Sequence, residues 1–131
     1  MTHDALRLLE TPRSAPPLDS LAERLGPGRL VELGGRGDCA RTSTAVSLLL
    51  HAQREGETAA WIQPRGGELF PPDLAACGVD LDALLVIHVP REAGPHAPCR
   101  AAEILLRSGA FGFVVLDLAL GTPAGAAAAW Q

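Results

Sequence analysis

The sequence contains no lysine and no tyrosine, and it has one methionine and three cysteines. The missing lysine excludes the most. A compact ammonium group, the usual point charge on a bound phosphate, is not present anywhere in the chain. Among side chains, positive charge for an anion can come only from histidine or from the planar guanidinium groups of 11 arginines. Those arginines are scattered and the net charge is −4. A strong nucleic-acid surface needs concentrated positive charge, so direct DNA binding is expected to be weak or absent. Cys39, Cys77 and Cys99 are odd in number and far apart. They match neither a disulfide framework nor a zinc pattern, and they suit a reducing cytosol. His3, His51, His88 and His96 lack metal-ligand spacing, so no metal is expected. There is no signal-peptide pattern and no apolar run of membrane length, and the expected location is the cytoplasm. Arginine without lysine, many Ala and Gly, and no Tyr read as the imprint of a biased genome rather than as a function.

What is present is a chain of 131 residues with 47% hydrophobic and 20% charged residues, enough for one domain with a real core. Its organising stretch is Arg29 to Leu50. An apolar strand (Leu30, Val31, Leu33) leads into a Gly-rich turn, Gly34 to Gly37, and then into a helix of small and aliphatic residues. Strand, glycine loop and helix make the layout of a phosphate-binding loop, whose backbone N–H groups cradle phosphates. Its spacing is Gly, any four residues, then Gly-Lys-Ser/Thr. Counting from Gly35, the frame is kept, but Ala40 takes the second Gly and Arg41 takes the Lys, before Thr42. A methyl group at Ala40 obstructs close approach of phosphate and can obstruct the backbone conformation. The wide fork of Arg41 does not replace a lysine at a tightly packed phosphate, and Asp38 adds negative charge inside the loop. These departures favour a strand–turn–helix that keeps the shape without a working nucleotide site.

The rest of the chain alternates strands and helices. Thr2 to Glu10 reads as a short helix with Ala5, Leu6, Leu8 and Leu9 on its apolar side, followed by a Pro-rich linker, Thr11 to Pro17. Helices are expected over Leu18–Leu25, Thr42–Glu55, Pro71 to about Cys77 and about Cys99–Ser108, with Gly56, Gly78 and Gly109 as stops. Strands are expected over Arg29–Leu33, Thr58–Ile62, Leu84–Val89 and Phe113–Asp117. Gly121 to Gln131 reads as the start of another helix. Near-continuous apolar strands alternating with helices predict an α/β fold, a parallel sheet covered on both faces. Asp117, at the end of an apolar strand, matches the carboxylate that holds magnesium through water in nucleotide sites.

Several runs together resemble bacterial RecA. Gly28-Arg-Leu-Val-Glu-Leu-Gly-Gly35 is similar to its first core strand. His51-Ala-Gln-Arg-Glu-Gly56 with Thr58-Ala-Ala-Trp-Ile62 resembles its first core helix and second strand. Cys77-Gly-Val-Asp-Leu-Asp-Ala-Leu-Leu85, Arg107-Ser-Gly-Ala-Phe111 and Phe113 to Asp117 match further runs, and the resemblance covers about Leu18 to Pro123. It implies a RecA-like P-loop core over residues 18–131, incomplete at its C-terminal side, preceded by the helix and linker of residues 1–17. RecA-type sheets insert a later strand between the phosphate-loop strand and the Asp117 strand. Only fourteen residues follow Asp117, too few for a helix and that strand. The chain is then a fragment, or another chain fills the gap, or the sheet is rearranged.

The departures from RecA carry the functional expectation. The family's catalytic Glu falls at about Arg65, and its Ser after the magnesium-side Asp falls at Leu118. This pattern looks like a degenerate RecA relative, of which the ImuA-type proteins of damage-induced mutagenesis cassettes are the preferred match and SulA-type division inhibitors the alternative. The resemblance implies a non-catalytic adaptor of the SOS response, with RecA and an ImuB-like translesion polymerase homologue as partners and no cofactor. Gly35, Ala40, Arg41, Thr42 and Asp117 would be a vestigial nucleotide loop. RecA's N-terminal helix reaches the next protomer, which implies partner binding, and self-association, through Leu6 and Leu9. A weak residual ATPase and an inhibitor of the cell-division tubulin are the other readings.

Overall fold

The computed structural model describes residues 18–35, 40–67 and 69–118. The expected N-terminal helix with Leu6 and Leu9, the linker and the Ala-rich tail lie outside these residues. Four helices, α1 (Leu18–Leu25), α2 (Arg41–Arg54), α3 (Pro71–Ala76) and α4 (Ala97–Ser108), surround three strands, β1 (Ala59–Pro64), β2 (Leu84–Val89) and β3 (Phe113–Leu116). The sheet order is β2-β1-β3 and both pairings are parallel. The fold is α/β with a parallel sheet flanked by helices, as expected of a RecA-like core.

Side-chain alternation along the strands builds two apolar layers. Ala59 and Trp61 of β1 face α2 and α3, where they pack with Ala45, Leu49, Leu74 and Val79. Ala60 and Ile62 face the other way, onto Leu105 of α4 and Val89. β1 is paired on both sides and its first five residues are buried, as a central parallel strand requires. The α2 helix ends in a Schellman motif: Gly56 N–H donates to Gln53 O at 3.0 Å and Glu57 N–H to Ala52 O at 3.0 Å. The end of α3 repeats it, with Gly78 N–H on Ala75 O and Val79 N–H on Leu74 O, both at 3.0 Å. The accompanying apolar contact is there too, since Leu74 and Val79 share one cluster. Positive φ at Gly56 and Gly78 lets the chain turn at these points. Gln53 then ties α2 to the turn before β2: its Oε1 accepts from Asp80 N–H and its Nε2 donates to Asp80 O, each at 2.9 Å.

One expected strand is not formed. Arg29 to Leu33 has no regular secondary structure and no ladder partner among the described residues, Leu30 is fully exposed, and Leu33 packs against the core. The sheet therefore has three strands among the described residues rather than four. Among the described residues β3, the sheet edge on the Asp117 side, pairs with β1 alone. Two smaller boundaries also move. β1 runs on to Pro64, which occupies the strand's last position. The α4 helix starts at Ala97, with Pro98 inside its first turn.

Candidate functional site

In open parallel sheets, ligands bind beyond the carboxyl ends of the strands. Asp117 stands there, directly after β3 and half-buried, and its N–H donates to Ile62 O at 2.8 Å, which extends the ladder by one residue. Beside it, β1 leads into the Pro64–Gly67 turn that carries Arg65, exposed, with its N–H on Val89 O at 2.9 Å. The structure thus brings Arg65 and Asp117 to the same edge on adjacent strands.

Gly35 is exposed and non-helical, and residues 36–39 of the loop lie outside the described chain. Ala40 is the exposed N-cap of α2, and its carbonyl accepts from Thr44 N–H at 2.8 Å. Its φ of −74° suits any L-residue, so the backbone does not demand glycine at this position. The methyl group acts only through the space it fills. Arg41 and Thr42 open the helix and are exposed, with no side-chain cap and no acidic residue in the first turn. A cation at this end opposes the helix dipole by a few tenths of a kcal/mol at an exposed site, roughly. Among the described residues no group of His, Cys, Asp or Glu is placed to hold a metal ion.

The residue that sequence reading missed is Gln63. It is fully buried in the middle of the sheet, the one polar residue in the buried core among those described. Its Oε1 accepts from Leu69 N–H at 3.3 Å, and its Nε2 approaches Nδ1 of His88 on the neighbouring strand at 3.4 Å. Gly67 lies against the same carboxamide, and a Cβ there would overlap it. Gln63 therefore clamps the turn that presents Arg65. The available signal was a glutamine inside an apolar run followed by Pro-Arg-Gly-Gly. Gly67→Ala is expected to push the carboxamide aside, leave Leu69 N–H unpaired and lower stability by about 1–3 kcal/mol. A urea melt followed by far-UV circular dichroism measures it, and an unchanged midpoint would show the clamp to be without weight.

No family model matches the chain, and no solved structure matches it. Curated sequences do. The chain is 39% identical over 90 residues to the RecA protein of Saccharopolyspora erythraea, covering 69% of this chain and 25% of that one. It is 38% identical over 90 residues to RecA of Corynebacterium jeikeium, covering 69% and 23%, and equally to RecA of Clostridium acetobutylicum, covering 69% and 25%. The match spans about a quarter of the length of these relatives. A parallel β2-β1-β3 core between two helical layers, with this identity across most of its length, makes the chain a relative of the RecA proteins.

Proposed function

We propose that this chain is a non-catalytic RecA-like adaptor of the SOS response to DNA damage. It supports translesion mutagenesis by binding RecA and an ImuB-like polymerase homologue, in the manner of the ImuA-type proteins. The observation that carries the reading is the pairing of RecA kinship with a phosphate-loop frame holding Ala40 and Arg41 in place of Gly and Lys. Arg65 supports it from a second side: at the place of the catalytic carboxylate stands an exposed guanidinium, which cannot take a proton from water. A chain that keeps the fold and loses both the phosphate cradle and the base retains a RecA-like surface as its functional asset. Leu6 and Leu9 on the N-terminal segment are the residues assigned to partner contact. Gly35, Ala40, Arg41, Thr42 and Asp117 are assigned as the vestige of the nucleotide loop.

The test is a pull-down with purified ImuB-type protein and purified cell-division tubulin as separate baits. The adaptor reading expects retention on the ImuB-type bait alone. Retention on the tubulin alone would replace it with a division inhibitor of the SulA type.

A further inference from the structure

Gln63 and His88 stand opposite each other on β1 and β2, the first buried and the second exposed. Their contact has a direction. Oε1 of Gln63 accepts from Leu69 N–H at 3.3 Å, which leaves the amide nitrogen Nε2 facing Nδ1 of His88 at 3.4 Å. A carboxamide nitrogen can only donate, so Nδ1 must accept. The neutral imidazole with its hydrogen on Nε2 is the form that offers this acceptor. Protonation turns Nδ1 into a donor and sets two donors against each other. Each relief breaks one contact of the clamp. Turning the carboxamide over gives His88 an oxygen but sets Nε2 against Leu69 N–H, again donor against donor. Swinging the exposed imidazole into water leaves Nε2 buried without an acceptor. Gly67 lies against the same carboxamide, so a shift of the amide group passes directly to the turn.

No neighbouring charge offsets the protonated ring. β1 carries no titratable side chain, and the turn after it brings Arg65. The turn after β2 brings Arg91 and Glu92, and the helices on this face of the sheet bring Arg41 of α2 and Asp73 of α3. Asp80 and Asp82 stand at the opposite end of β2, and Asp117 follows β3 on the far side of β1. Among the described residues no ion pair to His88 is formed.

We propose that His88 is a pH-sensitive latch on the turn between Pro64 and Leu69. When neutral it completes the Gln63 clamp. When protonated it releases the turn, and with it the placement of Arg65 at the carboxyl end of the sheet. Histidine changes charge between about pH 5 and 8, so the clamp is complete at the upper end of that range and lost at the lower end. The latch stands on this geometry alone and holds whether or not the chain is an adaptor.

Amide hydrogen exchange followed by NMR at about pH 7.5 and about pH 5.5 tests it, with each rate divided by the intrinsic rate at its own pH. In the parent chain, protection of the Leu69 amide is expected to fall at least roughly fivefold on acidification, while the amides of residues 60–62 keep theirs. His88→Asn places a side-chain oxygen near the position of Nδ1 and does not titrate. In this variant Leu69 protection is expected to be the same at both pH values. His51 and His96 titrate in both chains and cancel in the comparison. A parent Leu69 amide with unchanged protection, or with none at either pH, overturns the latch, as does an equal fall in His88→Asn. A fall that spreads to residues 60–62 reports general acid unfolding and overturns it as well.

Discussion

Titrated with millimolar ATP and magnesium in a calorimeter, the chain is expected to give no heat of binding, and its ATP turnover is expected to be indistinguishable from the buffer control. Three features act together. Ala40 adds a methyl group where phosphate must approach, Arg41 brings a broad fork where a compact ammonium is needed, and Arg65 offers no base for the attacking water. Loss of a general base alone costs about 10²–10⁴ in rate. The φ of Ala40 sharpens the expectation for reversion. Since this backbone is unstrained with alanine, Ala40→Gly with Arg41→Lys changes space and charge without repairing the fold. The double variant is expected to regain weak binding with hydrolysis still negligible. A micromolar affinity in the parent chain would sink the reading of the loop as vestigial and revive the residual ATPase.

Trp61→Ala is expected to cost the most stability of any single core substitution, about 3–5 kcal/mol. Trp61 is 1% exposed, at the centre of the middle strand, and packs in the layer that joins α2, α3 and β1. A domain of this size is commonly stable by only about 5–15 kcal/mol, so the variant is expected to be largely unfolded at room temperature or to melt far below the parent. Its indole N–H has no hydrogen-bond partner among the described residues. Trp61→Phe removes that buried donor along with part of the ring, and the two losses oppose one another. It is therefore expected to cost much less than the alanine substitution. Urea melts followed by far-UV circular dichroism separate the two. Equal and large losses would mean that the indole N–H is satisfied and structurally important.

Much of this architecture was legible because the local signals were strong. The Gly56 and Gly78 stops were placed by sequence, and each is the positive-φ residue of a Schellman motif. Leu18–Leu25 and Leu84–Val89 fell on their observed bounds. Where the reading missed, the cause was tertiary. Leu30 and Val31 have strand propensity, but a strand exists only where a neighbour completes its ladder, and local sequence does not report the neighbour. Pro98 lies just before the helix expected from about Cys99 and in the structure belongs to the first turn of α4, a position where proline is at home. A glutamine inside an apolar run marks Gln63 as unusual, but its neighbours in sequence do not show that Leu69 N–H and His88 converge on it. The loop frame at Gly35 to Thr42 was legible as a motif, yet its chemistry depends on spatial relations to Arg65 and Asp117 that spacing alone does not carry.

The central claim is that a RecA relative has kept a protein-binding surface after losing catalysis. The direct measurement is sedimentation of this chain with purified RecA at several ratios, with and without ATP. The account predicts a complex containing both proteins, and no turnover attributable to this chain. RecA and this chain sedimenting independently at every ratio, in both conditions, would contradict it.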